Sequence, residues 1–265
     1  MSRDNLFWGL LLLLAGAVLL GNNLGYFSFD ARILWPLFII LLGVYILIGR
    51  SYSDRNYKAE EISLPLDGAS EALVRIEHGA GSLRISGAAK NGDLFSGHFH
   101  NMELTSDKTG KRLTARMRPS WRGGFMWFFP WNWGSRGHEW DFSLTPDVPL
   151  TLDIDTGASD NRFDLSTIKL AKLDLDTGAS SNHIILPEKG GHSRVEISSG
   201  ASSMDITIPK GVAADIRVES GLADINIDQS RFPRSGKHYT SPDYETAANR
   251  IDLRLETGVS SVKIR

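Results

Sequence analysis

A repeat centred on glycine constrains this chain more than any other feature of its sequence. From Val74 onward the segments VRIEHGAGSLRIS, LDIDTGASDNRFDLS, LDLDTGASSNHIILP, VEISSGASSMDITIP, IRVESGLADINID and LRLETGVSSVKIR follow one pattern. Their anchoring glycines are Gly79, Gly157, Gly178, Gly200, Gly221 and Gly258, and the four from Gly157 to Gly221 are spaced 21, 22 and 21 residues apart. A fixed period of this length signals stacked units, none of which can bury its apolar face alone.

The apolar positions alternate as they do in strands. Five residues before each glycine stand Val74, Leu152, Leu173, Val195, Ile216 and Leu253. Three before it stand Ile76, Ile154, Leu175, Ile197, Val218 and Leu255, and six after it Ile85, Phe163, Ile184, Ile206, Ile227 and Ile264. A period of two on both sides of a glycine describes two short strands meeting at a corner. The corner is expected to use the backbone freedom of glycine. The fold class that follows is mainly β: a repeat-built, single-stranded β-helix or solenoid over residues 71–265. An ordinary β-sandwich is the competing arrangement. Two insertions interrupt the array, at about 88–150 and 229–250. The first contains a candidate antiparallel pair, LFSGHFHNMELTS and KRLTARMRPS, joined by Asp107–Gly110. The second is polar and reads as a loop.

Residues 1–50 differ sharply from the rest. Leu6 to Leu24 and Ile33 to Gly49 are uncharged and apolar, each near the shortest length that spans a bilayer as a helix. The turn between them, GNNLGYFSFDAR, carries Tyr26 and Phe27, which suit a membrane interface. The reading is a transmembrane hairpin (about 6–24 and 33–49) in a multi-pass protein of the bacterial cell membrane, followed by a linker at 51–70. A cleavable signal peptide is the alternative for the first span, but no A-x-A site follows Leu20. Arg50, Arg55 and Lys58 follow the second span and Arg3 precedes the first, against Arg32 alone in the turn. The positive-inside rule then favours a cytoplasmic β domain.

Composition closes off several chemistries. Net charge is −2 and pI about 6.4, so no basic field points to nucleic acid. Cysteine is absent, which removes disulfides, thiolate metal sites and a thiol nucleophile. The histidines show no metal spacing. No catalytic residue, metal or cofactor is expected.

Two surfaces are candidates for binding. One is the stretch from Trp121 to Trp140, which holds five of the seven tryptophans. Trp121, Trp127, Phe128, Phe129, Trp131, Trp133 and Trp140 suit either the lipid bilayer or a membrane partner. Alternatively, the loop folds back as a lid over an open end of the core. The other surface is an acidic edge. Glu77, Asp155, Asp176, Glu219 and Glu256 occupy one repeat position, with Ser198 in the fourth coil, and they share an outward edge if the coils stack in register. A solvated face is the plain reading of such a column, and a bound cation or basic partner the functional one. The motif Asp-Thr-Gly-Ala-Ser at Asp155 and Asp176 also occurs in aspartic proteases, where two carboxylates share a proton. Here the copies lie only 21 residues apart and belong to a repeat column, so a protease is a remote alternative.

The opening FWGLLLLLAGAVLLGNNLG and LWPLFIILLGVYIL resembles the transmembrane region of LiaI- and LiaF-type proteins of the bacterial cell-wall-antibiotic response. LDIDTGAS, LDLDTGASSNHIILP, VEISSGASSMDITIP and DYETAANRIDLRLETGVSSVKI resemble the toast-rack β domain of the same LiaF-like family. The resemblance implies a non-enzymatic membrane protein that modulates a sensor histidine kinase, or another membrane partner, in an envelope-stress response. The family brings no catalytic residues. The competing function is a structural scaffold that self-associates through exposed strand edges, the final VSSVKIR lacking an evident cap.

Overall fold

The computed structural model describes residues 59–120, 138–236 and 238–265. The hairpin expected at 6–24 and 33–49 lies outside them. In chain order the strands are β1 (Glu60–Pro65), β2 (Glu71–Gly87), β3 (Asp93–Phe99), β4 (Met102–Thr109), β5 (Arg112–Pro119), β6 (His138–Leu144) and β7 (Leu150–Asp164). They continue as β8 (Leu170–Ile185), β9 (His192–Thr207), β10 (Ala213–Ile227), β11 (Arg234–Ser235), β12 (His238–Thr240) and β13 (Arg250–Ile264). The first strand falls inside the stretch read as a linker.

Each glycine-centred repeat is one long strand, and the strands stack in parallel as rungs in the order β2-β7-β8-β9-β13-β10. Only residues 165–169 separate β7 from β8, and 208–212 separate β9 from β10. Parallel neighbours normally need a crossover of a dozen residues or more. Such short returns are possible because each rung bends back at its glycine, so that its end lies beside the start of the next. The result is a flattened coil. Its core is the space between the two half-rungs, filled by Val74, Ile76, Leu83 and Ile85 of β2 and their counterparts above and below, nearly all without exposure.

The glycines act differently from the sequence expectation. None of the six has a left-handed φ. What excludes a side chain is close approach. A Cβ on Gly157 would lie 2.5 Å from the carbonyl oxygen of Gly79, and one on Gly178 2.9 Å from that of Gly157. The contact repeats for Gly200 on Gly178 (3.0 Å), Gly258 on Gly200 (2.6 Å) and Gly221 on Gly258 (2.9 Å). For Gly79, at the start of the column, no described residue lies within 4 Å of the Cβ position.

The two insertions also do more than leave and rejoin the array. β5 pairs with the first half of β2 (Ile76↔Met117) and β6 with the second half (Gly81↔His138). Ala115 and Met117 therefore extend the columns of Val74 and Ile76, while Trp140 and Phe142 extend those of Leu83 and Ile85, all buried. β5 and β6 are thus the two halves of a further rung. Beyond this rung, β4 adds antiparallel to β5, and β3 lies antiparallel between β6 and β1. The segment expected as one strand from Leu94 breaks near Asn101, which has a φ of 50°, and its two halves join opposite halves of the coil. At the other end, the excursion after β10 forms β11 and β12, and β12 pairs antiparallel with Asp215–Arg217. The chain then returns to insert β13 between β9 and β10. The C-terminal strand, read as an uncapped end, is hydrogen-bonded on both sides, and the stack ends on β10.

Candidate functional site

The acidic positions fall into one column because the strands alternate. The residue three before each glycine faces the core, so the residue two before it faces out. In stack order the pairs are Glu77↔Asp155, Asp155↔Asp176, Asp176↔Ser198, Ser198↔Glu256 and Glu256↔Glu219. Neighbouring rungs stand about 4.8 Å apart, so the carboxylates repel unless cations intervene. Arg118 pairs with Glu77 at 3.4 Å, and Arg254 with Glu256 at 2.9 Å and Glu219 at 3.5 Å. Asp155 and Asp176 have no ion pair among the described residues.

Beside this column runs an open groove of about 790 Å³, walled by Asp155, Asp176, Glu256 and Glu219 and floored by the corner glycines. The next residue of each of these rungs is polar and also lines the groove, turned inward in all but the last, where Ser220 is exposed. Thr156 and Thr177 are buried, and Ser199 Oγ donates to Thr257 Oγ1 at 2.9 Å. The groove is long, shallow and acidic, a shape that suits an extended segment carrying Lys or Arg at rung spacing. Among the described residues, no group of three or more acidic or histidine side chains is arranged to hold a metal ion. Asp155 and Asp176 stand exposed on adjacent rungs of one sheet. The two-lobed dyad of an aspartic protease, with carboxylates facing across a cleft, is a different geometry.

Of the aromatic candidates, Trp121, Trp127, Phe128, Phe129, Trp131 and Trp133 lie outside the described residues. Trp140 does not belong with them. It is fully buried in β6, packs edge-on to Phe99 and His78, and donates its indole N–H to the His100 carbonyl at 3.0 Å. Its column position makes it core, which corrects its assignment as a contact residue for membrane or partner.

Sequence reasoning missed a second cleft, of about 550 Å³, built where the second excursion folds over β9, β13 and β10. Asp215 accepts from Thr240 Oγ1 at 2.8 Å and pairs with Arg217 at 3.3 Å. The Tyr244 hydroxyl donates to Asp252, which also meets His192 Nε2 at 2.8 Å. Burial pushes the Asp252 carboxyl up, but the hydrogen bonds from Tyr244 and His192 outweigh it and hold the group below its ordinary range. Burial, and then the bond to Asp252, drive the Tyr244 phenol well above its ordinary value. These bonds pin the excursion to the rungs. The repeat spacing carried no sign of them, because the excursion stands outside the repeat.

Comparison with known proteins matches these features. Residues 53–207, more than half of the chain, match the model for the N-terminal domain of toast_rack, DUF2154. Residues 6–47 match the LiaI-LiaF-like transmembrane region. No curated protein matches the sequence. Among solved structures, a candidate cell adhesion protein from Clostridium sporogenes is similar with a TM-score of 0.67 and 22% identity, covering 78% of this chain and 98% of its own. At that identity the likeness speaks for the fold alone. A candidate adhesin from Bacteroides fragilis aligns at a TM-score of 0.24 and 7% identity, covering 79% of this chain and 98% of its own, and carries no argument. With the glycine-cornered rungs and both family matches in place, this chain belongs to the toast-rack family and is a membrane protein with a LiaI-LiaF-like transmembrane region.

Proposed function

We propose that this chain is a non-enzymatic regulator of a bacterial cell-envelope stress response, acting by protein contact on a sensor histidine kinase or another membrane partner. The observation that carries the reading is the acidic groove: a fixed row of carboxylates on a rigid stack, in a protein whose other part is a LiaI-LiaF-like transmembrane region. A rung stack presents such a row without reorganisation, which favours recognition of a basic linear segment. Gly9, Gly16 and Gly43 support close packing of the first fifty residues against a partner's helices. The excess of Arg and Lys outside the turn supports a cytoplasmic β domain, where it meets the cytoplasmic parts of a kinase.

The test is a transcriptional reporter of the cell-wall-antibiotic response in a strain lacking this chain. Deletion should shift the reporter's threshold for a wall-active antibiotic. The wild-type copy should restore it, and a copy carrying Asp155→Lys, Asp176→Lys and Glu256→Lys should not. A reporter unmoved by deletion would overturn the regulatory reading. Full restoration by the charge-reversed copy would remove the groove from it.

A further inference from the structure

The two ends of the stack are finished differently. At the β1 end, the outer strands carry Glu60, Glu61 and Pro65 on β1, and Glu103, Asp107 and Lys108 on β4, the charges and proline that discourage edge pairing. At the opposite end, β12 covers β10 only over Asp215–Arg217. Among the described residues, the second half of β10, from Leu222 to Ile227, has a strand partner on one side alone, β13. Its exposed side shows Leu222, 76% exposed, and its core-side residue Ile225 is only half-buried, where Asn161, Asn182, Met204 and Val262 of the same column are buried.

The backbone of this half-strand is set for pairing. Asp228 N–H donates to Ile264 O across the β13 side. Since backbone groups alternate along a strand, the even-numbered residues face β13, and Ala223, Ile225 and Ile227 turn their N–H and C=O groups outward. We propose that a second copy of this chain occupies the edge, its β10 running antiparallel about a two-fold axis through Ile225. In that register Ile225 faces its own mate and Ala223 faces Ile227. All three outward-facing residues exchange paired hydrogen bonds, and the apolar column continues from copy to copy. On the outer face Asp224 stands opposite Asn226, so no carboxylate meets its own symmetry mate directly, and Leu222 stands opposite Asp228. An antiparallel register centred on Asp224 would set that carboxylate against its own mate, and one centred on Asn226 would set Asp224 against Asp228, so the register through Ile225 is the one that keeps carboxylates apart. The two-fold operation uses up the open half-edge, and the guarded β1 end offers no second one, so the product is a closed dimer rather than a filament. This inference does not depend on the regulatory reading.

The chain has no cysteine, so introduced thiols report on one position each. Asp224 and Asn226 are both exposed, and their pair is of the non-hydrogen-bonded kind, with Cα atoms about 4.5 Å apart, within disulfide range. Full-length chains carrying Asp224→Cys and Asn226→Cys, differently tagged, are co-expressed and oxidised in native membranes. The expected result is a mixed disulfide several-fold more abundant than the dimer formed by either variant alone. Adding Ile225→Pro, which removes an N–H that no described residue uses, should abolish it while leaving the protein folded. A mixed disulfide no more abundant than the single-variant dimers, or one that survives Ile225→Pro, would overturn the proposal.

Discussion

Replacing Gly157 with alanine tests the corner column directly. The new Cβ would sit 2.5 Å from the Gly79 carbonyl oxygen, about 0.9 Å short of ordinary contact. The obstacle is backbone, so no rotamer change relieves it, and β2 and β7 must part at the corner. Relief of that size strains the inter-rung hydrogen bonds on either side, His78↔Thr156 and Ala80↔Ala158 being the flanking pairs. Losing the net worth of two such bonds, with some repacking, costs about 2–4 kcal/mol. Gly79→Ala is the matched control. Among the described residues nothing lies within 4 Å of its Cβ position, and its φ is not left-handed, so it should be neutral or stabilising by up to about 1 kcal/mol. For a unit of this size the two variants should differ by roughly 6–15 °C in melting temperature. The assay is thermal unfolding of the full-length chain in detergent, followed by far-ultraviolet circular dichroism. Gly258→Ala should resemble Gly157→Ala, and Gly200→Ala, at 3.0 Å, should be milder. Equal losses at Gly79 and Gly157 would refute close approach as the reason for the column.

Two further predictions concern buried polar groups. Asn161 Nδ2 donates to Asn182 Oδ1 at 2.7 Å inside the core, in a column where other rungs carry Leu83, Met204 and Val262. Asn182→Leu alone should cost about 1–3 kcal/mol by stranding Asn161, and Asn161→Leu with Asn182→Leu should recover most of it, as urea unfolding of the set would measure. Asp252 titrates below its ordinary range in the folded chain, so the stability it contributes is present above its unfolded value and lost as pH falls through the folded one. Tyr244→Phe should therefore lower the melting temperature at pH 6, by a margin that narrows toward pH 2. An unchanged margin would show that the Tyr244 bond does not hold Asp252 in its charged form.

The rung architecture was legible in the sequence because its columns are written in residue type. Alternation placed Ile76, Ile154 and Leu175 inward and Glu77, Asp155 and Asp176 outward, and the rungs stack in that register. The order of rungs was not legible. Val195, Leu253 and Ile216 satisfy the same column equally well, so the pattern cannot say that β13 lies between β9 and β10. In the structure the second excursion, tethered through Asp215, Tyr244 and Asp252, carries the chain past β10 before β13 enters between β9 and β10. The divided rung was hidden for another reason. Its two halves carry no repeat glycine between them in the sequence, and the aromatic stretch that separates Met117 from Trp140 makes Trp140 read as part of that stretch. As for the glycines, a sequence reports that a side chain is absent without reporting whether backbone rotation or a neighbouring carbonyl excludes it.

The central functional claim is that the acidic groove meets a membrane signalling partner. A photo-crosslinking amino acid at Ser198, midway along the column, would test it in living cells exposed to a wall-active antibiotic. The account predicts one dominant adduct with a sensor kinase, lost when Asp155, Asp176 and Glu256 are changed to lysine. Adducts with wall components, or none above a control placed at Ser203, would contradict it.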